Sequence, residues 1–262
     1  MEKKLILRGV LAGAFAGLLA FVFARVFAEP QIQAGIDYEA GRESAEQAMT
    51  HSGGGEEMEL FSRAVQGNLG IGVGIVLFGV AMGALFSVVY TVCLGRVGNV
   101  RARTLALLVA GAGFAGVYLV PFLKYPANPP GIGGSDTIGE RGSMYLVMVL
   151  ASIVVLGLAL WLGRRLRARL GNWNATLVAG AAFLVVIGIV MAVLPTIAET
   201  PGAMTNDAGV IVFPGYPADV LFKFRLYSVG AQIVLWGALG LAFGPLAERL
   251  LDRERGKVAA VA

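Results

Sequence analysis

The chain has 262 residues, of which 57% are hydrophobic and only 15% are charged, and its mean hydropathy is +0.75. Soluble domains are about one-quarter charged, so this composition excludes a soluble globular protein and indicates an integral membrane protein. The net charge of +4 is not the footprint of a nucleic-acid-binding protein, because the basic residues form short clusters without interleaved aromatic residues.

Six apolar stretches separate the charged clusters, and each is long enough for a membrane-spanning helix. Crossing about 30 Å of hydrocarbon requires roughly 20 helical residues. Five stretches of at least 20 residues carry no charge, and the first reaches that length because Arg8 and Arg25 can extend to the interface. The predicted spans are 5–27, 68–94, 104–123, 143–163, 174–195 and 225–246. Continuous apolar runs, rather than alternating ones, favour helices over barrel strands.

The first span has two interpretations. Its sequence, MEKKLILRGVLAGAFAGLLAFVFARVFAEP, has a basic start, an apolar stretch and a Val-Phe-Ala motif at 26–28 that is typical of a signal-peptidase site. Gly9, Gly13 and Gly17 instead form a ridge of small residues that suits close packing against another membrane helix. The ridge favours a helix retained in the mature protein, and a mature N-terminus at Glu29 would contradict it.

The first predicted loop, residues 28–67, is strongly acidic. It contains eight carboxylates and two arginines, which is a net charge of −6. His51 lies near Glu56 and Glu57, and imidazole with carboxylate suits a borderline divalent metal such as cobalt, nickel or zinc. One imidazole beside a Ser-Gly-Gly-Gly hinge lacks the preorganised ligands of a closed metal site. The residues alone therefore favour the alternative, a solvated acidic loop with an incidental histidine.

Basic residues sort to alternate sides of the predicted spans. Fourteen of the 21 basic residues lie at the N-terminus, in the second and fourth loops, and after the last span. The positive-inside rule makes this side cytoplasmic, with both termini inside and the acidic loop outside. Cys93 is the single cysteine, so the chain has no disulfide framework.

Short motifs recur around the outer loops and indicate repeated helical hairpins. The recurring residues are the prolines that end outward-going spans, Pro30, Pro121 and Pro195, and the arginines that open returning spans, Arg63, Arg141 and Arg225. Tyr-Pro-Ala-Asn at 125–128 is matched by Tyr-Pro-Ala-Asp at 216–219, and both predict rigid extended turns because proline restricts itself and the residue before it. The predicted fold is all-α, with six transmembrane helices in three hairpins that repeat in parallel about an axis along the membrane normal.

Catalytic chemistry is not indicated. The spans contain no ionised residue between their bounding charges, and a single histidine argues against a Ser-His-Asp arrangement. The one Gly-Lys pair, at 256–257, precedes valine and does not form a phosphate-binding loop. We therefore predict a protein that is not an enzyme and has no firmly indicated cofactor, and the sequence does not identify an energy source.

Four segments together resemble the CbtA family of predicted cobalt transporter subunits of prokaryotic membranes. They are LLAFVFARVFAEPQI, SRAVQ, PFLKYPANPPGIGGSDTIGERGSMYL and FPGYPADVLFKFRLYSVGAQIVLWGALGLAFG. The resemblance implies a link to cobalamin metabolism and a small single-span CbtB-like partner that carries histidines. Family members often have a His-rich and Glu-rich first outer loop, which is reduced here to His51, Glu56 and Glu57.

These observations lead to the hypothesis of a multi-pass protein of the prokaryotic cytoplasmic (inner) membrane that moves Co²⁺ inward as a transported ion. The predicted metal ligands are His51, Glu56 and Glu57, and the predicted entrance residues on the outer turns are Tyr125, Asn128, Tyr216 and Asp219. The predicted structural ion-pairing residues are Arg63, Arg141, Arg225 and Glu29. The alternative is a non-transporting membrane scaffold or accessory subunit of a larger membrane complex, because polarity within the spans is scant.

Overall fold

The protein is almost entirely helical. A computed structural model describes residues 2–50, 70–98, 100–134 and 137–259. Within these ranges, five helical stretches are long and apolar enough to cross a membrane: Glu2–Thr50, Ile71–Cys93, Ala102–Lys124, Ile138–Val193 and Ala218–Glu254. The sequence-based expectation of a polytopic helical membrane protein is confirmed at this level.

The secondary-structure elements are seven α-helices, two π-helical turns and one short hairpin in the described residues. The helices are α1 (Glu2–Phe23), α2 (Glu29–Thr50), α3 (Ile71–Cys93), α4 (Ala102–Gly113), α5 (Val120–Lys124), α6 (Ile138–Val193) and α7 (Ala218–Ala259). The π-helical turns are Ala24–Ala28 and Phe114–Leu119, and the antiparallel strands are β1 (Met204–Thr205) and β2 (Ile211–Phe213). The hairpin is a small departure from the predicted all-α class.

These elements form two compact units. One unit comprises Met1–Phe114, Pro129–Gly131 and Gly202–Ala262. The other comprises Ala115–Asn128 and Ile132–Pro201. We call them the major and the minor unit.

Both π-helical turns end two residues before a proline. The first ends at Ala28 before Pro30, and the second ends at Leu119 before Pro121. Proline cannot donate the helical hydrogen bond, and its ring clashes with the carbonyl four residues earlier. The wider turn accommodates this: the Glu29 N–H donates to the Ala24 carbonyl, five residues back. The helix therefore continues past Pro30, and residues 29–50, which were predicted as part of a loop, are helical.

In the major unit, α1 packs closely on α3 through glycines. A Cβ atom placed on Gly79 would lie 2.5 Å from the Gly13 carbonyl oxygen and 2.8 Å from the Gly17 Cα. A Cβ on Gly83 would meet backbone atoms of Gly9 and Gly13. The backbones approach this closely only because neither helix carries a side chain at the crossing, which confirms the tight packing predicted for the glycine ridge.

Aromatic residues fill the major unit where α3 meets α7. Phe243 is fully buried, and its ring lies edge-on to Phe86 at 5.1 Å and to Tyr90 at 4.9 Å between centroids. Leu235 and Leu239, also on α7, are almost fully buried. α7 packs against α1 and α4 and so lies at the centre of this unit.

In the minor unit, α6 reverses direction at Gly171. This residue has φ 73° and ψ 174°, a backbone conformation that is accessible essentially only to glycine. A Cβ on Gly163 would lie 3.2 Å from the Cβ of Ala179, although a straight helix would hold residues 163 and 179 about 24 Å apart. The two arms of α6 therefore pack on each other, with Met148 and Ile187 in a common core.

Candidate functional site

The four predicted entrance residues are divided between the two units. Tyr125 and Asn128 belong to the minor unit, whereas Tyr216 and Asp219 belong to the major unit. Each pair follows the Tyr-Pro pattern that recurs in the sequence, and each has its own surroundings.

In the minor unit, Tyr125 ties its turn to the end of α6. The residue is 5% exposed, and its hydroxyl donates a hydrogen bond of 2.8 Å to the Pro195 carbonyl. Beside it, the Lys124 ammonium donates to the Thr196 hydroxyl at 3.2 Å. Two neighbouring residues thus bind the same segment, so this Tyr-Pro turn is held by tertiary contacts as well as by its proline.

In the major unit, Tyr216 is likewise a buried tyrosine of a Tyr-Pro pair whose hydroxyl donates to a proline carbonyl. It is 7% exposed, and its hydroxyl donates to the Pro130 carbonyl at 3.2 Å. Burial, with smaller contributions from Tyr38 and Glu39, raises the pKa of Tyr216, so the hydroxyl stays protonated and can donate. The Gly35 backbone lies against both Pro130 and the Tyr216 hydroxyl, where a Cβ would not fit.

Tyr38 on α2 completes this cluster and was not identified from the sequence. Its ring lies 4.7 Å from that of Tyr216 and 5.3 Å from that of Phe213 between centroids. Its hydroxyl donates to the Pro214 carbonyl at 3.2 Å and accepts from Arg42, which also donates to the Gly202 carbonyl at 2.9 Å. α2 is thereby fastened to the β1–β2 hairpin and the second Tyr-Pro turn.

The polar residues that follow the two turns are more accessible than the tyrosines. Asn128 is half-buried and belongs to the extended stretch between Tyr125 and α6. Asp219 lies in the first turn of α7 and pairs with Lys223 at 3.1 Å, with the Asp219 side chain 68% exposed. The hydrogen bond from Lys223 lowers the pKa of Asp219, so this carboxylate remains ionised at neutral pH.

Arg141 forms a partly buried ion pair near the start of α6. It contacts Glu199 at 2.6 Å, and the Glu199 side chain is only 8% exposed. The Thr137 side chain, together with Arg141, lowers the pKa of Glu199 against the opposing effect of burial. Gly133, at φ 101°, lies within this cluster, where a Cβ would contact both partners of the pair. The pair joins the N-terminus of α6 to the segment that follows its second arm.

The other residues predicted to form ion pairs or bind metal are only partly covered by the described ranges. Glu29 lies in the first turn of α2 and Arg225 in the second turn of α7, and both are partly buried. The predicted metal ligands His51, Glu56 and Glu57 lie outside the described residues, as does Arg63. In the ranges 2–50, 70–98, 100–134 and 137–259, no group of three or more His, Cys, Asp or Glu residues could hold a metal ion.

The family is decided by comparison with known proteins. The family model of CbtA, described as a probable cobalt transporter subunit, matches residues 2–248. The chain belongs to the CbtA family. Among curated proteins and among solved structures, nothing matches it. As a CbtA-family member with several membrane-spanning helices, it is a multi-pass membrane protein of a transporter-subunit family.

Glu199 and Tyr38 were both missed from the sequence, for different reasons. Glu199 is the only carboxylate between Glu140 and Asp207, and this isolation in an apolar region is a signal that could have identified it. Tyr38 carries no such signal, because its role depends on the distant segments 213–216, which contact it only in the folded chain.

Proposed function

We propose that the chain is the membrane-embedded subunit of a divalent transition-metal uptake system that carries Co²⁺ inward across a prokaryotic cytoplasmic membrane. The observation that carries this proposal is the family match, which covers residues 2–248 of 262. The proposed inward direction rests on the predicted orientation, in which the acidic segment 28–67 faces outward and would collect cations there.

The proposed topology has six spans with both termini in the cytoplasm. Contacts at one end of the major unit support the shared location of the termini: Lys4 pairs with Glu254 at 3.3 Å, and Arg8 donates to the Leu246 carbonyl. The reversal at Gly171 supports two spans within α6, because each arm is long enough to cross the hydrocarbon layer.

We further propose that the three hairpins derive from a repeated unit. The sequence basis is the recurrence of proline, arginine and Tyr-Pro-Ala motifs. The paired π-helical turns before Pro30 and Pro121 add a structural similarity between the first and third spans. The parallel use of Tyr125 and Tyr216 as donors to proline carbonyls adds a second.

Helix α2 supplies an acidic surface that would concentrate cations. Its exposed carboxylates are Asp37, Glu39, Glu43 and Glu46. Clustered negative charge raises the local cation concentration over about 8 Å at physiological salt. His51, Glu56 and Glu57 would then provide weak, exchangeable ligands beyond the end of this helix.

On the outer turns, we assign ion contact to Asn128 and Asp219 and turn positioning to the tyrosines. The hydroxyls of Tyr125 and Tyr216 are buried and hydrogen-bonded to carbonyls. Arg141 would stabilise its turn through Glu199 and not contact the ion, because a guanidinium repels cations. Arg63 and Arg225 are proposed to hold their own segments in the same way, by pairing with carboxylates or carbonyls, and Glu29 is a candidate carboxylate partner.

A histidine-bearing single-span subunit of the CbtB type is the proposed partner. It would add imidazole ligands, which suit Co²⁺ and which this chain provides only once.

Cobalt accumulation in cells tests the proposal. Cells that express the chain together with the single-span partner should accumulate more cobalt than cells that express either alone. Neutralising the four α2 carboxylates (to Asn or Gln) should lower uptake at limiting cobalt several-fold, on the order of 3–10-fold, and the loss should shrink as salt rises. Equal cobalt content in all strains, with the proteins present in the membrane fraction, would refute transport.

A scaffold role is the second candidate, favoured by the lack of a three-ligand metal group among the described residues. On this reading, the chain binds other membrane subunits without moving an ion. Native mass spectrometry of the solubilised complex separates the two candidates. A stable assembly with unrelated subunits and no cobalt would support the scaffold, whereas cobalt retained with the single-span partner would support uptake.

A further inference from the structure

The minor unit ends in a strongly basic surface at the reversal of α6, which we call the hairpin tip (residues 161–173). Its four arginines, Arg164, Arg165, Arg167 and Arg169, are all exposed. Trp161 and Trp173 bracket them and are 55% and 74% exposed. Exposed tryptophans are costly in water but typical of the membrane–water interface, where the ring meets headgroups.

These arginines are not neutralised by carboxylates within the minor unit. Between Arg141 and Glu199 the sequence contains no Asp or Glu. The nearest carboxylate before them on α6 is Glu140, about 36 Å from Arg164 along a straight helical arm. In the described part of the chain, none of the four forms an ion pair. Two basic residues of the major unit differ in this respect: Lys4 pairs with Glu254, and Arg103 pairs with Glu248.

The spacing of the arginines creates two neighbouring pairs. Residues three or four apart lie side by side on a helix, so Arg164 adjoins Arg167 and Arg165 adjoins Arg169. The Arg165 guanidinium lies 5.0 Å from the centre of the Trp161 ring, which fixes one member of the second pair. Paired guanidiniums bind phosphate oxygens through several charge-assisted hydrogen bonds.

The hairpin tip directly follows an apolar part of α6, and this position indicates that the bound anion is a lipid phosphate. Leu158 and Leu160 are more than half exposed and belong to the lipid-facing part of α6. Arg165 follows Trp161 by one helical turn, about 6 Å along the axis. In a bilayer, a span that ends near Trp161 would place these arginines in the layer that holds lipid phosphates.

We infer that the hairpin tip is a binding surface for anionic phospholipids, with the two arginine pairs holding lipid phosphates and the two tryptophans setting the depth of the headgroups. Each arginine near an anionic membrane surface adds attraction that a zwitterionic headgroup does not provide. The inference does not depend on cobalt transport, nor on which side of the membrane the tip faces.

Tryptophan quenching in bilayers tests the inference, because two of the three tryptophans lie at the tip and Trp236 is buried. The full chain is reconstituted in phosphatidylcholine nanodiscs that contain a small fraction of brominated phosphatidylglycerol or brominated phosphatidylcholine. Quenching by the anionic lipid should indicate a roughly three- to tenfold local enrichment, and it should fall at high salt. Equal quenching by the two lipids would overturn the inference.

A variant pair of equal charge locates the effect. In the tip variant, Arg164, Arg165, Arg167 and Arg169 are replaced by glutamine. In the control, the same replacement is made at Arg96, Arg101, Arg249 and Arg253, which are exposed residues of the major unit. The preference for the anionic lipid should disappear in the first and persist in the second.

A second readout keeps the test decisive if the tip variant folds poorly. Native mass spectrometry of the wild type should show phosphatidylglycerol adducts that survive activation longer than phosphatidylcholine adducts. The double variant Trp161→Phe/Trp173→Phe should lose the difference in quenching but keep the adducts. Loss of the preference in the control variant as well would show a general charge effect and refute a site at the tip.

Discussion

Replacing Gly79 by alanine should separate two membrane helices that the native sequence allows to touch. The added Cβ would lie 2.5 Å from the Gly13 carbonyl oxygen and 2.8 Å from the Gly17 Cα. Both neighbours are backbone atoms of α1 and cannot rotate away. Ordinary contacts of this kind begin at 3.4 Å, so α1 and α3 must move apart by about 0.9 Å at this point.

The expected loss in unfolding free energy is the cost of overpacking minus the gain in helix propensity. Overpacking typically costs about 1–3 kcal/mol, whereas a glycine-to-alanine change inside a helix contributes about 1 kcal/mol in the other direction. Gly74 on the same helix isolates the second effect, because a Cβ there would meet nothing within 4 Å. We expect Gly79→Ala to be less stable than Gly74→Ala by about 1–3 kcal/mol.

Unfolding of the full chain in mixed micelles, with increasing sodium dodecyl sulfate and circular dichroism as the readout, measures this difference. Each variant is compared with the wild type at equal protein and total detergent. The reasoning on backbone contact would be wrong if Gly79→Ala were as stable as Gly74→Ala.

Three further predictions concern single residues. Gly171→Ala should destabilise the minor unit by about 1–3 kcal/mol, because alanine is strained at φ 73° and ψ 174°. The control is Gly180→Ala, also on α6, where a Cβ would meet nothing within 4 Å. This control should be neutral or stabilising in the same unfolding assay. Tyr216→Phe should lower the unfolding free energy by about 1 kcal/mol, because the partly buried Pro130 carbonyl loses its donor. An unchanged value would show that this hydrogen bond does not stabilise the fold. The Glu199 ion pair should stabilise the wild type relative to Glu199→Gln above about pH 5. This advantage should decline as the pH falls through the pKa of Glu199 in the folded protein, which lies below the ordinary 4.5. A difference in unfolding free energy that is independent of pH between pH 3 and 7 would contradict the proposed ionisation.

The helical membrane character could be predicted because it depends on local composition. Uncharged stretches of sufficient length have few structural alternatives in a bilayer, where each backbone polar group needs a partner within its own segment. The glycine ridge at Gly9, Gly13 and Gly17 was predictable for a related reason, since close helix approach requires small residues at a fixed spacing. Its partner ridge at Gly79 and Gly83 could not be assigned, because pairing depends on which helices meet.

Other features depend on tertiary contacts that leave little trace in the sequence. Pro30 was expected to end a helix, but the preceding π-helical turn lets the helix continue to Thr50. The two Tyr-Pro turns were recognised from the sequence. The hydrogen bonds of Tyr125 and Tyr216 were not, because each hydroxyl donates to a carbonyl that is distant in the sequence. For the same reason, the contribution of Tyr38 could not be foreseen.

The π-helical turn at Ala24–Ala28 joins α1 and α2 into one continuous helix. It therefore determines the angle, about the helix axis, between the contact surface of α1 and that of α2. Before it, α1 directs Gly13 toward α3; after it, α2 directs Gly35 and Tyr38 toward the second Tyr-Pro turn. Each residue added to or removed from an α-helix rotates everything beyond it by about 100°. The number of residues between the two surfaces is therefore constrained, and a single deletion there would misdirect one surface even though every side chain that makes a contact remained in place.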